Sequence, residues 1–536
     1  MVEPAARATL LQRLRGTARW DLVVIGGGAT GLGIALDAAA RGLAVALVEA
    51  HDFAKGTSSR ATKLVHGGVR YLAQGNVALV HEALRERATL LANAPHVAQP
   101  LGFVMPSYGW WETPFYGAGL KVYDVLAGRR GLGSTRFLSA AGVRKLLPGV
   151  RTQGLSGGVE YWDGQFDDAR LAVLLARTAL ARGAAVVNRC PVTALVRERG
   201  KVAGAVVRDA ETGESFTLKA GCVVNATGVW VDAILAMDRE PGAPARRPLV
   251  APSQGVHLVV DREFLAGPGD PASAAHALLV PRTADGRVLF VVPWLGKLIL
   301  GTTDTPREEI ALEPAPLAAE VEFILHESAR CLARAPKRAD VRSVWVGLRP
   351  LVRASAMEAE NTQALSREHT VAIGRSGLVT VTGGKWTTYR AMAEDVLDQC
   401  FDRALLPRRV GTPTERLPLI GAHPGRPLTG PPGEHLYGSE AAVLRELPGA
   451  ARWLWRDGDG GLSEAMVRFA ARHELARDVE DVLARRSRLL FLDARAAEGV
   501  ADDTAAILAD ELGSGFDAAA SSAAFKQLAR RYRTLP

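Results

Sequence analysis

At 536 residues the chain is too long for one ordinary core, and a composition of 48% hydrophobic and 23% charged residues excludes a disordered protein. The formal charge of +8 favours small phosphorylated molecules or an acidic membrane surface, while no nucleic-acid module is recognisable and no nucleic-acid partner is expected. Cys190, Cys222, Cys331 and Cys400 lie far apart, which excludes a C-x-x-C zinc or redox motif and suggests a reducing compartment; no metal site is expected.

Residues 1–20 carry Arg7, Arg13, Arg15 and Arg19 without a continuous apolar run. They read as a short extension with a frayed helix, not a secretory signal. No uncharged apolar stretch is long enough to span a bilayer. Residues 21–49 form a βαβ unit. Its first strand enters a turn in which Gly26, Gly28 and Gly31 have G-x-G-x-x-G spacing. One glycine makes the turn, one admits a pyrophosphate, and one lets the next helix lie close to the sheet. The N–H groups at that helix start face the phosphates. A second apolar run ends in Glu49, placed to accept from a ribose hydroxyl.

Residues 52–71 are rich in Gly, Ser and Thr and are expected to wrap a ligand. A helix is expected over 77–93. Residues 108–137 mix aromatic and basic side chains: Trp110, Trp111, Phe115 and Tyr116 precede Lys121, Arg129 and Arg130. Two readings stand side by side, a membrane-interface patch and ordinary core packing. A helix over 168–182 has Asp167 or Asp168 as N-cap. Strands at 184–189, 192–197, 202–208 and 216–219 suggest a four-strand meander, and 222–228 reads as a strand entering a second Gly turn. Further strands are expected at 256–260, 277–280, 288–293, 297–302, 341–348 and 369–382, with helices at 318–333 and 384–402. A Pro- and Gly-rich linker covers 407–438, and the remainder reads as helical. Arg485, Arg486 and Arg488 there read as a solvated helix face.

Four motifs occur together: the glycine turn with Glu49; Thr57–Leu72, containing Ser58-Ser59-Arg60-Ala61-Thr62-Lys63 and His66-Gly67-Gly68-Val69-Arg70-Tyr71; Asn225-Ala226-Thr227-Gly228; and Gly383-Gly384-Lys385-Trp386-Thr387-Thr388. Gly301-Thr302-Thr303-Asp304 and Gly347-Leu348-Arg349-Pro350 lie between the last two. The series resembles the FAD-dependent glycerol-3-phosphate dehydrogenases, the respiratory kind that reduce quinone, over residues 20–400 and more weakly over 463–498. The resemblance implies an α/β fold: a Rossmann-like FAD-binding domain (21–75, 165–250, 355–406) interleaved with a mixed β-sheet substrate domain (76–164, 251–354). An α-helical C-terminal domain (439–536) follows.

It also implies noncovalent FAD. Gly26, Gly28, Gly31 and Glu49 would hold the ADP half, and Ser58, Ser59, Thr62 and Lys63 would follow the pyrophosphate and flavin. His66 and Gly68 would form a turn beside the ring rather than a covalent attachment. Val192 would meet adenine through its backbone, and Ala226, Thr227 and Gly228 would pass close to the dinucleotide. Gly384, Lys385, Thr387 and Thr388 would open a helix whose positive end faces the flavin N1–C2=O edge.

The implied substrate is sn-glycerol 3-phosphate, oxidised to dihydroxyacetone phosphate by hydride transfer to flavin N5. His257 is the candidate base and Arg349 the phosphate clamp, with Lys385, Arg70 and Tyr71 completing the pocket. This chain has Gln254-Gly255-Val256-His257 where the family commonly has Lys-Gly-Ser-His. The expected partners are a membrane quinone and an anionic membrane surface, at the cytoplasmic face of the inner membrane; a homodimer is compatible. The rivals are an oxygen-using glycerol-3-phosphate oxidase, an amine or amino-acid oxidase, and a flavin-binding scaffold.

Overall fold

The strand Trp20–Ile25 pairs in parallel with Val45–Val48 on one side and Ser215–Asn225 on the other. A computed structural model describes residues 7–68, 76–240, 242, 247–267, 269–283, 286–353 and 369–536. Ala185–Val187 and Val379–Gly383 extend this parallel sheet at its two ends, and His369–Ile373 closes one edge antiparallel. A parallel sheet covered on both faces demands unbroken apolar runs. Leu22, Val23, Val24, Val45 and Leu47 meet that demand and are inaccessible to solvent. The helix Ala29–Ala40 packs against both Asp168–Ala181 and Tyr389–Asp402. Asp167 caps the second of these, accepting from the Arg170 N–H at 3.2 Å.

The expected four-strand meander is three strands. Ala185–Val187 belongs to the parallel sheet, and Ser215–Asn225 is one continuous strand. Its first half alternates exposed and buried residues and pairs antiparallel with Lys201–Arg208. Its second half, buried on both faces, pairs with Trp20–Ile25. One strand therefore serves two sheets by changing its burial period midway.

Among the described residues the second large sheet has ten strands. Val250–Asp261 lies within it, antiparallel to Lys297–Gly301, to Thr305–Pro306 and, over most of its length, to Ser343–Val352. That last pairing sets Ser253 opposite Arg349 and His257 opposite Trp345. Ala98–Ser107 runs antiparallel to Gly157–Phe166 and parallel to Ala277–Val280, so the sheet is mixed.

Three segments differ from expectation. Arg7–Gly16 is a docked helix, not a frayed one: Leu10 and Leu14 are buried, and Arg7 pairs with Asp209 at 2.6 Å. The stretch 407–438 is a packed strap. Leu417 and Leu419 enter the core of the first sheet, and Leu428, Leu436 and Tyr437 enter the core shared with the C-terminal helices. The C-terminal region also holds a hairpin, Trp453–Asp457 with Gly460–Ser463, closed by a two-residue turn in which Gly458 has φ +56°.

The largest correction concerns the arginines. Arg485, Arg486 and Arg488 are almost fully buried, not solvated. Arg485 and Arg486 both bind the carboxylate of Asp52, and Arg488 binds Asp168 at 3.1 Å. Both acids belong to the first half of the chain, so these side chains form the seam between the C-terminal helices and the glycine-turn domain.

Candidate active site

A cavity of about 600 Å³ is walled by residues of both large sheets. The C-terminal ends of the parallel strands open onto it through Ile25, Gly26, Val48, Glu49 and Ala226. Gly26 has φ +112°, and a Cβ there would stand 2.7 Å from the Ala226 carbonyl oxygen. A Cβ at Gly31 would stand 2.0 Å from the Gly26 carbonyl oxygen, so Gly31 fixes how closely the helix approaches the turn. The helix Ala29–Ala40 has no side-chain cap at Gly28. Its first residues, Ala29 and Thr30, face the cavity, with the Ala29 N–H donating to Ser58 Oγ at 3.0 Å. Bare backbone at the glycine turn and a helix start whose N-cap residue has no side chain suit a pyrophosphate, and these residues fit the ADP half of FAD.

Glu49 lines the same end. Its carboxylate accepts from the N–H groups of Gly27 at 2.6 Å and His51 at 2.8 Å, and burial raises its pKa. Val192, Thr227 and Gly228 complete that wall. Ser58, Thr62, His66, Gly384, Lys385 and Thr387 line the remainder. The expected helix start is a 3-10 turn, Trp386–Thr388, leading into Tyr389–Asp402.

His257 and Arg349 line the same cavity from the second sheet. The His257 ring stacks on Trp345, with centroids 5.2 Å apart and planes 16° apart. Its Nε2 is 2.9 Å from Thr62 Oγ1, and its Nδ1 has no hydrogen-bond partner among the described residues. Burial, then the charges of Lys63 and Arg349, hold its pKa well below the ordinary histidine value. Arg349 donates from Nη2 to the Thr303 carbonyl at 2.9 Å and to Thr302 Oγ1 at 3.3 Å, while Nη1 faces Asp304 at 3.2 Å. Asp304 also accepts from Ser253.

Five expected cofactor residues do not reach the wall. Gly31 and Gly68 lie behind it. Ser59 turns inward, and Thr388 Oγ1 points back to the Lys385 carbonyl at 3.4 Å. Lys63 is fully buried and ion-paired with Asp168 at 2.7 Å, so its amine is turned into the protein interior and does not line the cavity. Burial pushes its pKa down to about 7 against the pull of that carboxylate. Arg70 and Tyr71 lie outside the described residues. Sequence reasoning missed Trp386, which lines the cavity and donates from Nε1 to the Ser58 carbonyl at 2.9 Å. It also missed Asp304, Asp168 and Trp345. Trp386 and Asp304 sit inside motifs already quoted; Asp168 was marked only as a helix cap, and nothing in the sequence marked Trp345.

Comparison with known proteins shows the family. A family profile described as "FAD dependent oxidoreductase" matches residues 21–390, and one described as "C-terminal domain of alpha-glycerophosphate oxidase" matches 412–519. A probable mitochondrial glycerol-3-phosphate dehydrogenase of Caenorhabditis elegans is 40% identical over 95% of this chain and 72% of its own length. The mitochondrial glycerol-3-phosphate dehydrogenase of Arabidopsis thaliana is 40% identical over 92% and 82%. The glycerol-3-phosphate dehydrogenase of Bacillus halodurans, solved in complex with FAD, superposes with a TM-score of 0.75 at 26% identity, covering 98% of both chains. The chain belongs to the FAD-dependent glycerol-3-phosphate dehydrogenases.

Proposed function

We propose that this protein oxidises sn-glycerol 3-phosphate to dihydroxyacetone phosphate with FAD as its cofactor. The observation that carries the reading is one cavity lined both by a pyrophosphate cradle at Gly26, Gly28 and Ala29 and by His257 and Arg349. Gly26, Gly28, Glu49, Ser58, Val192, Ala226–Gly228 and Gly384–Thr387 would hold FAD noncovalently. When bound, FAD supplies the hydride acceptor.

His257 accepts the proton of the substrate hydroxyl. Its depressed pKa keeps the ring neutral, the form that can take a proton. The same shift makes it a weak base. A substrate phosphate held by Arg349 would offset one of the two charges that add to the effect of burial, and so raise the ring's pKa. Lys385 adds a second cation at the wall, where a cation at a helix start suits an anionic neighbour.

The electron acceptor in this reading is a membrane quinone, met from the cytoplasmic face of the inner membrane. Among the described residues no helix is long and apolar enough to cross a membrane. The helix Glu112–Ala127 and its approach instead expose Trp110 (86%), Phe115 (65%) and Val125 (79%). Lys121 on the same helix and Arg129 and Arg130 in the turn after it are also exposed. Rings with flanking cations suit an anionic headgroup layer. A second acceptor, oxygen, is favoured only by the profile that matches 412–519.

The decisive experiment is anaerobic addition of sn-glycerol 3-phosphate to the purified yellow protein. Bleaching of the flavin band supports the substrate; bleaching by an amine but not by this substrate overturns it. Peroxide yield in air separates quinone from oxygen, and flotation with anionic vesicles tests the surface.

A further inference from the structure

Two cations behind the cavity share one carboxylate. Lys63 Nζ lies 2.7 Å from Asp168 Oδ2, and Arg488 Nη2 lies 3.1 Å from Asp168 Oδ1. Both also donate to the Ser59 carbonyl at 2.8 Å, and Asp168 accepts from the Ala61 N–H at 3.0 Å. Lys63, Asp168 and Arg488 are fully buried. Lys63 and Arg488 have φ of +65° and +66°, a left-handed conformation that side chains other than glycine rarely adopt. Such strain persists only where the surroundings over-determine it, and it clusters at functional sites.

The rings around these cations lead to the reaction wall. Lys63 Nζ is 5.3 Å from the ring centres of Trp345 and Phe491, and the Arg488 guanidinium is 4.2 Å from that of Phe491. Phe491 meets Trp345 edge-on at 5.2 Å, and Trp345 stacks on His257. Arg488 and Phe491 belong to the C-terminal region; Lys63 lies in a loop, Asp168 opens the helix Asp168–Ala181, and Trp345 and His257 are in the ten-stranded sheet.

We propose that the C-terminal region completes the reaction centre: Arg488, through Asp168 and Lys63, positions the Thr62–His257 pair, while Phe491 braces Trp345 behind the imidazole. None of these supporting groups except Thr62 lines the cavity, so they are positioning residues. The proposal rests on the function given above for His257. It makes the appended helices a working part of catalysis, and it ties His257 to a cation that no ligand touches.

The test compares Arg488→Lys, Phe491→Leu and Lys63→Met with Arg177→Lys. Arg177 pairs with Glu440 at the same seam, away from the 59–63 loop. Flavin content, KM and the rate of anaerobic flavin reduction by sn-glycerol 3-phosphate are measured for each. Arg488→Lys and Phe491→Leu should keep FAD and KM while slowing reduction about tenfold or more, since a small misplacement of a reacting group costs that much. Arg177→Lys should leave reduction unchanged. In Lys63→Met one of the two cations acting on His257 is gone and Arg349 remains, so the acid limb of the reduction rate should move to higher pH. Reduction lost only in proportion to FAD, equal slowing in Arg177→Lys, or an unmoved acid limb would overturn the proposal. Failure of the unaltered protein to be reduced by this substrate would instead overturn the function; the variants would then be compared with whichever donor reduces it.

Discussion

Arg349→Lys separates a phosphate clamp from a general structural role. The guanidinium is held before substrate arrives, by the Thr303 carbonyl at 2.9 Å, Thr302 Oγ1 at 3.3 Å and Asp304 at 3.2 Å. Lysine keeps the charge but loses the planar fork, so it cannot meet these partners and a phosphate together. One or two charge-assisted hydrogen bonds to phosphate would be lost, at about 1.5–3 kcal/mol each. At about 1.4 kcal/mol per decade, each bond is about ten- to a hundredfold in kcat/KM. The phosphate does not react, so its binding is nearly uniform along the reaction and the loss should fall on KM. Glycerol, which has no phosphate, provides the control. Steady-state rates with an artificial dye acceptor, for both substrates, give the comparison. If kcat/KM falls by the same factor for glycerol as for glycerol 3-phosphate, Arg349 is not the clamp.

His257→Gln retains a partner for Thr62 but cannot take a proton, so flavin reduction should slow by about 10²- to 10⁴-fold at unchanged FAD content; an unchanged rate in stopped flow removes His257 from the role of base. In the unaltered protein the neutral ring is the working form and its pKa is lowered, so activity persists as pH falls through the ordinary histidine value of about 6.5 and is lost only below it. A kcat/KM limb centred at or above that value contradicts the assignment. Gly31→Ala pushes a Cβ to 2.0 Å from backbone, which cannot yield as a side chain can; the purified variant should be nearly colourless, and a full complement of flavin per chain would refute the packing argument. His96 is fully buried, neither ring nitrogen has a hydrogen-bond partner among the described residues, and burial pushes its pKa down to about 3. The unfolded chain takes up this proton near pH 6.5 and the folded one does not, so stability falls as pH drops below that value, by up to about 1.4 kcal/mol per pH unit. His96→Leu should flatten this slope, and unfolding midpoints with parallel pH dependence in both proteins would count against it.

The glycine turn, the central parallel strands and the long helices were legible because their signals are local. Spacing and apolar runs in 20–49 suffice to specify a strand, turn and helix. His257 and Arg349 were legible only through resemblance; nothing in the sequence around either residue says that their strands pair. The arginine cluster was misread for a related reason. Three arginines within four residues look solvated when counted along a helix, yet their partners Asp52 and Asp168 lie more than 300 residues earlier. Lys63 failed in the same way: a lysine in a Ser/Thr-rich loop resembles a phosphate ligand until Asp168 is seen beside it. Charge composition counts ions, and only the fold decides which of them are spent on each other.

Hydrophobic alternation explains why the chemistry faces the cavity. Val256, Leu258 and Val260 on one strand, with Val344 and Val346 on its neighbour, enter one aliphatic core. The intervening residues, His257 on the first strand and Trp345, Gly347 and Arg349 on the second, therefore share the opposite face. Burying each such aliphatic side chain contributes about 1.5–3 kcal/mol. A one-residue slip of the first strand would take Val256, Leu258 and Val260 out of that core and turn His257 into it, so the core favours the register of the site. The same parity accounts for the departure at Gln254. It lies on the side of Val256, is fully buried, does not line the cavity, and donates from Nε2 to Glu320 at 2.5 Å. Exchanging the family's lysine for glutamine there alters a buried contact behind the strand and leaves the wall that carries His257 intact.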